Sequence, residues 1–113
     1  MAEHIRIHPA PGTWVARADG AVIAESRAAL ELVEGVYAPV IYFPRGDVAM
    51  AFLEPSGRTS RCPHKGQAVY FHIMGPGGNL GDAAWSYETP LGGADGIAGH
   101  LAFDLNLVTV ERL

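Results

Sequence analysis

The amino-acid sequence predicts a mainly β fold of short antiparallel strands with at most one short helix, and three observations carry that prediction. Apolar, aromatic and β-branched residues fall in short runs, and none of these keeps a helical period over several turns. The 14 glycines and 8 prolines are scattered between the runs as punctuation. The cleanest run, "QAVYFHIM" at positions 67–74, alternates with the period of two that a half-buried strand requires. Val69, Phe71 and Ile73 point one way and read as core; Ala68, Tyr70, His72 and Met74 point the other way and read as a semi-polar face.

The remaining elements follow in chain order. "TWVARADGAVIAES" holds two β-forming runs, Trp14 to Arg17 and Ala21 to Ala24, about an Asp19-Gly20 pair. Asp-Gly between β-formers signals a hairpin, because both residues tolerate the positive φ of a tight turn, so the chain is expected to open with one. "SRAALELVEG" is balanced: Ala, Leu and Glu favour helix, whereas the Leu30/Leu32 alternation allows a strand. "APVIYFP" suits a buried strand over Val40 to Phe43, ended by Pro44. Asp47 is placed to cap a short helix through Met50 to Leu53, since a carboxylate accepts from the free amides at a helix start. "EPSGRTS" reads as a turn, "GPGGNLGD" and "PLGGADG" as glycine-rich loops. "AAWSYE" is a short strand with Trp85 and Tyr87 on one side and Ser86 on the other, and "GIAGHLAF" and "LVTVERL" finish as strands.

Length and charge exclude several function classes. A chain of 113 residues fits one domain, 1–113, and buries roughly two thirds of its unfolded surface, so it needs neither disulfide nor metal to fold. Its 8 Lys and Arg residues against 12 Asp and Glu leave a net charge of −4 with no basic stripe, which argues against nucleic acid as a partner. The single cysteine rules out an internal disulfide and fits a reducing compartment; the cytoplasm is expected. No apolar run is long enough to span a membrane, and "MAEHIRIHPAPG" lacks the apolar stretch of a signal peptide.

The chemistry-bearing stretch is "TSRCPHKGQAVYF", Thr59 to Phe71. Pro63 biases Cys62 towards an extended backbone, which puts the Cys62 and His64 side chains on one face. An adjacent imidazolium or ammonium lowers a thiol pKa, so Cys62 with His64 or Lys65 is a candidate nucleophile; a free cysteine is nonetheless more often a small buried hydrophobe. As metal ligands, Cys62 and His64 are half of a Rieske or zinc set whose second cysteine is missing, and His4, His8, His72 and His100 show no ligand spacing. The sequence therefore points to no metal and no cofactor. The glycine-rich loops lack the lysine and hydroxyl of a phosphate-binding loop, while Arg58, Arg61 and Lys65 form a small cationic group.

Five motifs in order, "DGAVIAES", "VIYFPRGDV", "CPHKGQAVYF", "AWSYETP" and "IAGHLAF", resemble the domain-of-unknown-function family 427, which also carries a nucleotidyltransferase-like label. The resemblance runs from about Trp14 to Val110. It implies a single domain of curved, partly barrel-like sheets with Mss4-like topology, and tips the latter half of "SRAALELVEG" towards strand. Its pattern matches Tyr42, Phe43, Pro44, Asp47, Cys62, Pro63, Lys65, Gly66, Tyr70, Trp85, Ser86, Tyr87 and Pro90. Where His64 stands the family usually has a tyrosine. The label implies paired acidic metal ligands, and Asp47 has no carboxylate partner at a recognisable spacing.

Three functional expectations result. The first is a small-molecule pocket built from Tyr42, Asp47, Cys62, Lys65, Tyr70, Trp85 and Tyr87, with His64 and Ser86 beside it, Lys65 contacting an anion or carbonyl and Asp47 serving as its charge partner or as a helix cap. The second is a thiol enzyme using Cys62, with Lys65 and Asp47 as further catalytic candidates. The third is a structural module that forms a homodimer through a strand edge.

Overall fold

The computed structural model describes residues 4–113. Ten strands form three sheets: β1 (Ile5–Pro9), β4 (Leu30–Glu34) and β5 (Val40–Tyr42) in the order β1-β4-β5; β2 (Trp14–Ala18), β3 (Ala21–Ser26) and β10 (Thr109–Arg112) in the order β10-β2-β3; and β6 (Leu53–Cys62), β7 (Gly66–Gly75), β8 (Gly78–Ser86) and β9 (Ala102–Phe103) in that order. Every named pairing is antiparallel and no sheet closes into a barrel. The mainly β architecture is as the sequence indicates. Among the described residues no helix is long and apolar enough to cross a membrane.

The β6–β9 sheet carries a core on each face, over β7, β8 and β9 more than over the largely exposed β6, and side-chain alternation sorts its residues between them. Phe71 and Ile73 join Ala16, Ala18, Ile23 and Ala24 of the β2–β3 hairpin, with Phe43, Leu101 and Phe103. On the opposite face, Ala68 and Ala102 join Ile5 and Leu32 of β1 and β4, with Tyr42, Tyr87 and Ile97. Tyr42 and Phe43, adjacent in sequence, thus serve different cores. Phe43 is held there by a reciprocal backbone pair with Leu101, at 2.8 and 2.9 Å, and by an edge-to-face contact with Phe103 at 5.6 Å between ring centroids.

Several local expectations are corrected. The chain does not open with the hairpin: β1 precedes it and pairs with β4 from Ile5↔Glu34 to Pro9↔Leu30, a long-range partnership that no local signal announces. The hairpin itself is present, with Asp19 at φ 52° and Gly20 at φ 80° supplying its turn. "EPSGRTS" lies inside β6, where Ser56, Gly57 and Arg58 bulge out between the pairs Pro55↔Phe71 and Thr59↔Val69. "GPGGNLGD" is the β7–β8 hairpin, closed at Gly75↔Gly78. The expected helix is a 3-10 turn at Met50–Phe52 without any side-chain cap; Asp47 ends the preceding 3-10 turn, Arg45–Asp47. In "PLGGADG" and "GIAGHLAF", residues Gly92–Ile97 form a 3-10 segment, leaving only Ala102–Phe103 as strand.

Phe43 is fully buried, whereas Met74 is 37% exposed on the neighbouring sheet. Phe43→Ala is expected to cost about 3–5 kcal/mol and Met74→Ala less than about 0.5 kcal/mol, read from urea midpoints at unchanged slope.

Candidate functional site

A cleft of about 380 Å³ opens beside the second core, lined by Val40, Tyr42, Arg58, Lys65, Tyr70, Asp82, Trp85, Tyr87 and Asp104. Each residue arrives for a local reason. Tyr42 ends β5, and Tyr70 and Trp85 are direct cross-strand partners on β7 and β8. Tyr87 follows β8 on the same side as Trp85, as alternation requires. Lys65 closes the β6–β7 hairpin, just before Gly66, whose φ of 101° suits glycine alone without strain. Arg58 and Asp82 come from two bulges on either side of β7: Ser56 to Arg58 in β6, opposite Tyr70, and Gly81 to Ala83 in β8, opposite His72. Bulges re-aim side chains, and these two place a guanidinium and a carboxylate 3.8 Å apart at the cleft wall. The β8 bulge is pinned where the Asp82 amide donates to His72 Nδ1 at 3.0 Å.

The cleft is rich in oxygen and nitrogen atoms on an aromatic frame. Trp85 Nε1 points at the Tyr42 hydroxyl at 3.4 Å, Tyr70 shares a 2.8 Å hydrogen bond with Ser60, and Arg58 lies over the Tyr70 ring at 4.6 Å. Lys65 Nζ sits 5.7 Å from the Tyr87 ring centroid and donates to Glu34 Oε1 at 2.5 Å. The Lys65 hydrogen bond pulls the Glu34 carboxyl below its ordinary range and outweighs partial burial. Burial pulls Lys65 down, but its bond to Glu34 and nearby acidic groups carry it net upward, so both partners are charged at neutral pH. Burial raises Tyr87 and pushes Tyr42 up to about 12, so both are neutral hydroxyl groups under ordinary conditions.

Of the nine ligand-binding candidates, the cleft brings together Tyr42, Lys65, Tyr70, Trp85 and Tyr87. Cys62 and His64 line a separate depression with His4, Glu34, Tyr37 and Pro63. Cys62 is half-buried against the second core, and its thiol makes no side-chain hydrogen bond among the described residues. Ser86 points away from the cleft, fully buried, with no partner for its hydroxyl among the described residues. Asp47 is remote: its carboxylate accepts from Ser26 Oγ at 2.6 Å on another surface. The expected Asp47–Lys65 partnership is therefore replaced by Glu34–Lys65, because β4 and not the Arg45–Asp47 turn runs beside the β6–β7 hairpin. The cationic group also divides, with Arg61 lining a different depression from Arg58 and Lys65. Sequence reasoning missed Glu34, Asp82 and Asp104. Asp82 sits in a glycine-flanked stretch that reads as loop, and Glu34 and Asp104 reach the region only through tertiary pairing.

A profile described as "Domain of unknown function (DUF427)", labelled NTP_transf_9, matches residues 6–112. The chain belongs to the DUF427 family. The match extends the Trp14–Val110 resemblance at both ends and takes in most of β1 and all of β10. No match emerges from comparison with curated proteins. In this DUF427 domain the five convergent motif residues come from two sheets, Tyr42 from β5 and Tyr70, Trp85 and Tyr87 from β7, β8 and the residue just beyond it, with Lys65 supplied by the β6–β7 turn.

Two predictions follow from the site's electrostatics. Removing one partner of the Glu34–Lys65 pair strands the other, so Lys65→Met should destabilise more than Lys65→Met with Glu34→Gln. A double-mutant cycle is expected to give a coupling of about 1–2 kcal/mol that shrinks as salt is raised. For Tyr42, the folded pKa of about 12 lies above the ordinary tyrosine value of 10.0, so the stability it lends is complete below pH 10 and lost as pH rises towards 12. Tyrosine absorbance titration should show a late-ionising component that Tyr42→Phe removes, together with a shallower alkaline fall in the urea midpoint.

Proposed function

We propose that this domain binds a small molecule with an oxygen-rich, hydrogen-bond-accepting head and an apolar body. The observation that carries the reading is the convergence of Tyr42, Lys65, Tyr70, Trp85 and Tyr87 on one cleft. Most of the polar groups that face it are donors, set against the Asp82 and Asp104 carboxylates. Tyr42 already accepts from Trp85 and has its own O–H to give, the Tyr87 hydroxyl has no hydrogen-bond partner among the described residues, and Lys65 keeps N–H bonds beyond the one spent on Glu34. Carboxylate, phosphate or sugar oxygens suit such a set. The apolar body is accommodated next door: a cavity of about 360 Å³ walled by Trp14, Ile41, Phe103 and Val110 shares Val40, Trp85 and Asp104 with the cleft. Small-molecule sites are mostly apolar with a few oriented polar groups, and the two spaces together have that composition.

The reading treats the domain as a binder, and any reaction would rest on Tyr42, Lys65, Asp82 and Asp104 in place of Cys62. A thermal-shift panel of nucleotides, sugars and small carboxylates, with and without alkyl or aryl substituents, tests it. A ligand at about 100 times its Kd stabilises by about 2.7 kcal/mol, which moves the midpoint by several degrees. The expected hit carries both head and apolar body, and its shift falls in Tyr87→Phe and in Trp85→Ala. A flat panel, or a hit indifferent to both substitutions, overturns the proposal.

A further inference from the structure

The depression on the far side of the β6–β7 hairpin turn contains a second constellation. The β1–β4 register sets Ile5 opposite Glu34, and the Gly35 amide donates to the His4 carbonyl at 3.0 Å, so His4 and Glu34 are fixed side by side. His4 Nε2 lies 3.4 Å from Glu34 Oε2. From the turn between β6 and β7, His64 brings its ring to 4.5 Å from that of His4, edge to face at 87°. One ligand atom from each of His4, Glu34 and His64 lies within 4.8 Å of the others.

We propose that His4, Glu34 and His64 bind a divalent transition-metal ion of the zinc type. Bonds of about 2.0–2.2 Å in a tetrahedral shell place ligand atoms roughly 3.3–3.5 Å apart, so these atoms close on a metal by moving on the order of 1 Å. All three side chains are partly exposed. The donor set selects the metal class. Two imidazoles and one carboxylate suit zinc and its neighbours, whereas magnesium and calcium require oxygen ligands throughout. Glu34 is prepared for the role. Lys65 holds its Oε1 at 2.5 Å, leaving Oε2 turned to His4, and an outer hydrogen bond of this kind orients a ligating carboxylate. The three ligands leave a further coordination position towards a depression of about 480 Å³, where Tyr37 and Cys62 are the neighbouring side chains. The site is separate from the aromatic cleft and does not depend on the ligand proposed for it.

The test uses the full chain without any affinity tag, stripped with chelator and titrated calorimetrically with Zn²⁺ and then Mg²⁺. Stoichiometric Zn²⁺ binding with no Mg²⁺ response is expected. His64→Ala, at a partly exposed hairpin turn, and His4→Ala should each weaken Zn²⁺ binding about tenfold or more, while His72→Ala and His100→Ala leave it unchanged. Co²⁺ substitution supplies a direct spectroscopic readout: the intense visible bands of a tetrahedral site should appear in the parent chain and vanish in His64→Ala, whose circular dichroism stays that of the folded protein. Absence of stoichiometric Zn²⁺ binding, or binding that survives loss of both His4 and His64, or equal loss in the His72 and His100 variants, overturns the assignment.

Discussion

A strand packed on both sides has to satisfy two cores at once, and β7 does so by alternation: Phe71 and Ile73 turn towards the β2–β3 hairpin while Ala68 and Tyr70 turn towards β1, β4 and β5. A slip of one residue would exchange the two sets, putting Tyr70 among close-packed alanines and Phe71 at the cleft. Register is thereby fixed for β6 and β8 as well, since both are hydrogen-bonded to β7. The same logic separates Tyr42 from Phe43. Their opposite orientations tie β5 to both cores, and the Phe43–Leu101 backbone pair anchors the segment that leads into β9.

The cleft is a consequence of this packing. The face of the middle sheet that meets β1, β4 and β5 carries small residues at Ala68 and Ala102 and large amphipathic ones at Tyr70, Trp85 and Tyr87. The aromatic bodies complete the core, and their polar ends are left at its edge, where hydroxyl and indole N–H groups reach water or each other. Bulges in β6 and β8 then add Arg58 and Asp82; the register shifts across each bulge, from Pro55↔Phe71 to Thr59↔Val69 and from Phe71↔Ala84 to Ile73↔Leu80, but the side chains on either side keep their faces. The polar lining is consequently built on strands and a tight hairpin, which hold side chains more firmly than a long loop would.

Charge follows the same plan. Glu34 stands at the end of β4, where strand pairing brings His4 alongside and the β6–β7 turn delivers Lys65 and His64. One carboxylate thus links the aromatic cleft, through Lys65, with the histidine depression on its other side. Cys62, the residue that draws attention first in the sequence, is a half-buried side chain at the end of β6 in the wall of the histidine depression.

By itself the sequence determined the β class, the β2–β3 hairpin, the facing of Val69, Phe71 and Ile73, and the family. These are local or additive properties: turn chemistry at Asp19-Gly20, period-two alternation, and motif order are all written within a few residues. It also singled out five of the residues that meet in the cleft, because aromatic and lysine side chains in β-forming motifs are conspicuous. Only the tertiary structure decided that Asp47 and Ser86 stand apart from them, that Arg58, Asp82 and Asp104 join them, and that Glu34 holds Lys65 with His4 and His64 close by. Pairing partners far apart in the chain, as in β1 with β4 from Ile5↔Glu34 to Pro9↔Leu30, and bulges that turn one side chain out of sequence with its neighbours leave no local trace. Their positions are set by which register lets both cores close.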